Sequence, residues 1–191
     1  MTAAPGDPKI ALRRHLRAAR AAFVKDITPA AREALARALA IMAAPVTSLA
    51  RMPASYAAQG SEIDPQFIEP GLPRHAFPKV SDENLFFYLG DRKALRPGFG
   101  NILEPDANAA MVTPDLVLVP LIGATLAGQR LGQGGGYYDR TLARLRATGR
   151  VTALGLAWDA QIVAALPADP WDEMLDWIAT PTRLVECARY R

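Results

Sequence analysis

The sequence predicts an α/β fold: a mostly parallel sheet covered by helices. Three observations carry that prediction. Residues 116–119 (Leu116, Val117, Leu118, Val119) are wholly apolar, as in a strand buried on both faces of a parallel sheet. A turn with Gly132, Gly134, Gly135 and Gly136 follows and leads into a helical pattern over 138–148. A second apolar strand, 151–157, returns after it, so the second half reads strand, loop, helix, strand, helix, strand, the βαβ rhythm.

The remaining elements follow in chain order. Ile10, Leu12, Leu16 and Phe23 recur at helical spacing over 9–24, with arginines on the opposite face. Thr28 and Pro29 form an N-cap and first-turn pair, predicting a helix to about Ala44 that Pro45 ends. A short strand is expected at 54–58 and a brief helix from Asp64 and Pro65 to Pro70 and Gly71. Strands are expected at 75–79 and 85–89. Pro97, Gly98, Gly100, Pro105 and Pro114 predict an irregular stretch over 90–114. A helix at 159–166 and a last strand at 175–179 complete the chain, read as one domain over 1–191.

Composition narrows the function classes. Half of the 191 residues are hydrophobic, enough for one sizeable core. No apolar run approaches the roughly 20 residues of a membrane helix. The start, 1–7, lacks the apolar stretch of a secretory signal, so a cytoplasmic protein with no membrane partner is expected. The single cysteine, Cys187, excludes an internal disulfide. Net charge is +3, and the arginines cluster on the two helices at 13–20 and 140–150 without a recognisable reading module. Nucleic acid is therefore not expected as a partner.

The glycine turn is the feature that points to chemistry. A loop so poor in side chains lets backbone N–H groups approach an anion, and the following helix aims its positive end at the same place. Arg130 and Arg140 bracket it, Tyr137 and Tyr138 could stack on a flat ring, and Asp139 is placed to hold a cation. It is not a P-loop, because no Gly-Lys-Ser/Thr follows. Nor is it a Rossmann fingerprint, because no acidic residue ends a strand about 20 residues on.

The run from Arg130 through Leu131, Gly132, Gly134, Gly136, Tyr137 and Tyr138 to Asp139, behind the strand that opens at Asp115, resembles the signature of the 5-formyltetrahydrofolate cyclo-ligase family. Five further matches stand in the family's order. These are Lys9 with Leu12 and Arg13; Glu62, Ile63 and Asp64; Gly100 with Ile102 to Pro105; Ala157 to Asp159 with Gln161; and Leu166 and Pro167 leading to Asp172 and to Ile178 through Pro181.

The resemblance implies a three-layer α/β/α sandwich and an ATP-dependent ligase of folate and one-carbon metabolism. The formyl oxygen of 5-formyltetrahydrofolate would attack the γ-phosphate, N10 would attack the activated carbon, and phosphate would leave to give 5,10-methenyltetrahydrofolate. It also implies an ATP site on Lys9, Arg13, Arg130, Leu131, Gly132, Gln133, Gly134, Gly135, Gly136, Tyr137 and Tyr138. Glu62 and Tyr138 would meet the folate, and Asp139 and Asp172 would hold Mg²⁺, an ion content with one or two carboxylates plus phosphates. The partners are then small molecules, and a monomer is expected.

The chain departs from the family pattern at three places. Ala124 and Thr125 stand where Phe-Asp is usual, Gln133 and Gly135 are neutral where some members are basic, and Trp171 replaces a frequent histidine. Two other readings stay open: a non-catalytic folate or nucleotide binder of the same fold, and a related enzyme for another phosphorylated metabolite.

Overall fold

A computed structural model describes residues 8–106 and 108–187; the segment 1–7 lies outside them. Helix α1 (Pro8–Asp26) comes first, then α2 (Pro29–Thr47). Thr28 caps α2 as predicted, its Oγ1 accepting from Ala31 N at 3.2 Å. Pro45 does not end α2. Its ring faces solvent in the last turn, while Val46 and Thr47 beyond it are buried, and their packing carries the helix on to Thr47.

Strand β1 (Pro53–Ala54) is shorter than the expected 54–58. Ser55 still donates its N–H to Ala76 O, but beyond it side chains occupy the chain's polar groups. Arg92 Nη2 donates to Tyr56 O at 2.9 Å, and Ser55 Oγ donates to Glu69 Oε1 at 2.5 Å. The brief helix after Asp64 is two 3₁₀ turns, Pro65–Phe67 and Glu69–Gly71.

β2 (Ala76–Ser81) and β3 (Asn84–Leu89) form a hairpin. The stretch predicted to be irregular does hold short pairings: β4 (Arg96–Pro97) with β5 (Leu103–Glu104), and β6 (Met111–Val112) along β3. Then come β7 (Leu116–Pro120), the ribbon of β8 (Gly123–Ala124) and β9 (Arg130–Leu131), α3 (Tyr137–Thr148) and β10 (Thr152–Leu156). β11 (Trp177–Ala179) and an unpredicted β12 (Leu184–Glu186) complete the elements.

The main sheet runs β12-β11-β10-β7-β1-β2-β3-β6. Neighbours from β11 through β2 are parallel, and β12, β3 and β6 add antiparallel edges. Alternation along β7 divides the core. Val117 and Val119 face the layer holding Leu142 and Leu145 of α3; Leu116 and Leu118 face the layer holding Leu39, Ala43 and Val46 of α2. Helices thus cover both faces, giving the three-layer α/β/α arrangement. Each fully buried leucine or valine contributes about 1.5–3 kcal/mol relative to exposure.

The predicted helix at 159–166 is a single 3₁₀ turn, Asp159–Gln161. Beyond it Val163 donates its N–H to Ala124 O at 2.9 Å, and Ile162 bridges Ala124 in parallel. The buried Gln161 amide donates to the carbonyls of Leu121 and Ile122 at 2.8 and 3.0 Å. Pairing with the strand end replaces the helical ladder and presses this segment onto the turn that precedes the glycine loop.

Candidate functional site

β9 delivers Arg130 and Leu131 at the end of a ribbon, and the glycine loop 132–136 turns directly into α3. Gly134 has φ 104° and Gly136 φ 67°, a left-handed backbone that side chains disfavour. Gly136 occupies the N-cap of α3, where no side chain caps the helix, so the positive end of a 12-residue helix opens onto the loop.

Helix α1 lies along this loop. Arg13 Nε donates to Gly132 O at 3.1 Å; one turn on, Arg17 donates from Nε to Gln133 Oε1 at 2.9 Å and from Nη2 to Gln133 O at 3.0 Å. One turn earlier, Lys9 Nζ reaches Asp172 Oδ2 at 2.5 Å and Asp169 Oδ2 at 2.7 Å. Burial pulls the Lys9 ammonium down, but its hydrogen bonds and charge pairing with Asp169 and Asp172 outweigh it, and the net shift is upward.

Asp139, in the first turn of α3, accepts on Oδ1 from Arg130 Nη2 at 2.5 Å and from Glu173 N at 3.1 Å. Arg130 also donates from Nη1 to Glu173 O. Glu173 follows Asp172 in the chain, so one backbone step links the two carboxylates assigned to a cation. Each keeps an oxygen, Asp139 Oδ2 and Asp172 Oδ1, with no hydrogen bond among the described residues. No group of three or more His, Cys, Asp or Glu side chains there is arranged around a metal. Two carboxylates with spare oxygens fit Mg²⁺ held jointly with phosphates rather than an all-protein cage.

Glu62 is 5% exposed. Its Oε2 accepts from Gln59 N at 2.9 Å and its Oε1 from Gln133 Nε2 at 3.1 Å. Arg20 Nη1 stands 3.8 Å from Oε1. Arg20 itself donates to Leu121 O and Ser61 Oγ, both at 3.0 Å. Burial first, and then the Glu62 carboxylate, push the Tyr138 phenol well up, with Arg130 opposing; it stays a neutral donor. Tyr56 behaves likewise, its hydroxyl donating to Ile63 O at 2.7 Å. Tyr137 turns the other way, edge-on to Phe99 at 6.1 Å and under the Arg140 guanidinium at 5.2 Å.

The structure therefore gathers Lys9, Arg13, Arg130, Asp139 and Asp172 around the loop and ties Glu62 to it through Gln133. Trp158, within the Ala157 to Asp159 match, is fully buried and donates from Nε1 to Ser61 O at 3.0 Å. Arg17, Arg20, Asp169 and Glu173 were not singled out in the sequence. The helical phase Lys9, Arg13, Arg17, Arg20 could have shown the arginines; Glu173 acts mainly through its backbone, which leaves no sequence signal.

No helix among the described residues is long and apolar enough to cross a membrane. Residues 72–181 match the 5-formyltetrahydrofolate cyclo-ligase family. A 5-formyltetrahydrofolate cyclo-ligase of Escherichia coli K12 is 38% identical over 89 residues, covering 44% of this chain and 48% of that protein. One from Mycoplasma pneumoniae is 36% identical over 113 residues, 59% of each chain. The matches thus span about half the length of these curated relatives.

Solved structures extend the likeness. The 5,10-methenyltetrahydrofolate synthetase of Aquifex aeolicus superposes with a TM-score of 0.79 at 25% identity, covering 96% of this chain and 94% of that one. The corresponding M. pneumoniae protein gives 0.69 at 25% identity, with 91% and 99% covered. With the family match running through the glycine loop, Asp139 and Asp172, this chain belongs to the 5-formyltetrahydrofolate cyclo-ligase family.

Proposed function

We propose that this chain is an ATP-dependent 5-formyltetrahydrofolate cyclo-ligase that forms 5,10-methenyltetrahydrofolate. The carrying observation is the pairing of Arg130 with Asp139 and of Lys9 with Asp172 beside an uncapped helix start. Each pair sets a cation suited to phosphate oxygens against a carboxylate suited to Mg²⁺. Binding of Mg·ATP lets each member exchange its partner for a ligand group of the proper sign, so neither charge is left alone.

Phosphoryl transfer to a formyl oxygen calls for positioning and charge neutralisation more than for covalent help. On this reading Lys9, Arg13, Arg130 and the N–H groups of the glycine loop hold the triphosphate. Asp139 and Asp172 hold Mg²⁺, which neutralises phosphate charge when bound. The phenol of Tyr138 and the carboxylate of Glu62 face the folate, where Glu62 accepts from pterin N–H groups. Loss of hydroxide from an amide carbon is slow, whereas loss of phosphate is fast, so phosphorylation makes N10 attack productive. Residues 1–191 act as one domain, and we place the protein in the cytoplasm as a monomer.

The test mixes the protein, Mg·ATP and 5-formyltetrahydrofolate and follows the near-ultraviolet absorbance of the methenyl product together with ADP release. Product in one-to-one ratio with ADP supports the ligase. Heat stabilisation by either ligand without turnover would establish a non-catalytic binder instead.

A further inference from the structure

Glu62 and the glycine loop come from distant parts of the chain, yet one side chain spans them. Gln133 donates from Nε2 to Glu62 Oε1 at 3.1 Å, while its Oε1 accepts from Arg17 Nε at 2.9 Å. Both ends of the amide are engaged, which sets its orientation. The reverse would put its NH₂ against a guanidinium and its carbonyl against a carboxylate. Arg17 adds a second donor to the Gln133 carbonyl at 3.0 Å, so side chain and backbone of this loop residue are gripped together.

Glu62 has few substitutes for this contact. Its other oxygen accepts from Gln59 N, and the Arg20 guanidinium, 3.8 Å away, already donates to Leu121 O and Ser61 Oγ. A buried carboxylate that lost the Gln133 donor would keep one direct hydrogen bond. A shift of the loop backbone at Gln133 therefore re-aims Glu62, and a ligand that draws Glu62 draws the loop.

We propose that Arg17 and Gln133 form a positioning relay that couples occupancy of the glycine loop to the aim of the Glu62 carboxylate, so that nucleotide and folate bind with positive cooperativity. The relay rests on the preceding reading of the loop as the nucleotide subsite and Glu62 as the folate subsite. The Gln133 N–H remains available to phosphate while its side chain serves Glu62. Arg17 needs no ligand contact at all; it acts through Gln133. Coupling of this kind is reciprocal, each ligand tightening the other by the same factor.

Calorimetric titration tests it. 5-Formyltetrahydrofolate is titrated into the protein with and without saturating Mg²⁺ and a non-hydrolysable ATP analogue, and the analogue is titrated with and without the folate. The wild type should show tightening of about fivefold or more in both directions. In Gln133→Ala, which keeps the loop N–H, and in Arg17→Ala that factor should fall to near unity, the readout being the ratio of affinities with and without the other ligand rather than either affinity alone. The double variant should match Gln133→Ala, because the two residues act in series. Both side chains are exposed, and thermal melts matching the wild type confirm that the variants fold. A wild type that binds both ligands independently, or a Gln133→Ala variant with the wild-type factor, overturns the relay and leaves the functional reading standing. A wild type that binds neither ligand overturns that reading itself.

Discussion

Arg130 and Asp139 meet across the first turn of α3 with Nη2 2.5 Å from Oδ1, and the arginine side chain is only 3% exposed. The pair joins the strand before the glycine loop to the helix after it, bracketing the loop from both ends. It also places a carboxylate beside the only segment where a helix start, left-handed glycines and a buried arginine converge among the described residues.

Asp139→Asn keeps the shape and an acceptor but removes the charge that balances Arg130. Circular dichroism should match the wild type, with stability reduced by about 1–3 kcal/mol, the range for a disturbed buried hydrogen bond. Turnover should fall by more than about tenfold, since a charged contact to the metal is worth over 1.4 kcal/mol. Wild-type turnover at limiting Mg²⁺ would remove Asp139 from the site.

Arg13→Ala removes the guanidinium that lies along Gly132 and Gly134. The Michaelis constant for ATP should rise about ten- to a hundredfold, the worth of one charge-assisted contact, with a much smaller change for the folate. Steady-state kinetics with each substrate varied in turn checks this. Equal changes for both substrates would refute the placement of α1 on the phosphates.

Glu62→Gln should weaken 5-formyltetrahydrofolate binding roughly five- to a hundredfold, from about 1–3 kcal/mol for one unpaired donor, while ATP binding survives. Separate calorimetric titrations decide it. Loss of ATP affinity with folate affinity retained would reverse the two subsites.

Cys187 carries a prediction outside the site. Burial first, and then the nearby charges of Asp176 and Glu186, push its thiol up to about 12. At pH 8 the thiolate fraction is of order 10⁻⁴, so a colorimetric disulfide reagent should label native protein slowly and denatured protein rapidly. The folded value lies above the unfolded one near 8.5. The associated stability is therefore fully present below about pH 8.5 and is lost as pH rises towards 12. Fast labelling of native protein at pH 8 would contradict the burial of this thiol.

The second half of the fold was legible because periodicity and burial coincide there. β7 and β10 are apolar on both faces and lie at the centre of the sheet, and α3 begins where the glycines stop. Where a tertiary partner takes a backbone group, the local pattern misled. Arg92 takes the Tyr56 carbonyl within the strand expected at 54–58, and the Val163 N–H bonds the Ala124 carbonyl instead of closing a helical turn. Pro45 misled for another reason, since packing of Val46 and Thr47 outweighs the lost helical bond. Of the residues proposed for the site, Lys9, Arg13, Glu62, Asp139 and Asp172 were singled out through motif order. Arg17 escaped because the helical phase from Lys9 was not followed past Arg13, and Glu173 because its own backbone N–H and carbonyl make the contacts, which leave no sequence signal.

Glu173 serves both ends of α3. Its backbone holds Arg130 and Asp139 at the start of the helix, and its carboxylate pairs with Arg146 seven residues on, about 10 Å along the axis. Arg146 also donates to Met174 O and to Asp176 Oδ2, which accepts from Ala153 N in the central sheet. The segment around 172–176 is thus clasped lengthwise to the helix, and the clasp sets the helix's rotational phase against the sheet. Asp139 and Asp172 are accordingly fastened to the same frame. Helix α1 meets this frame from the other side at two points, the loop through Arg13 and Arg17 and the Asp172 carboxylate through Lys9, so it is the element that joins loop and carboxylate.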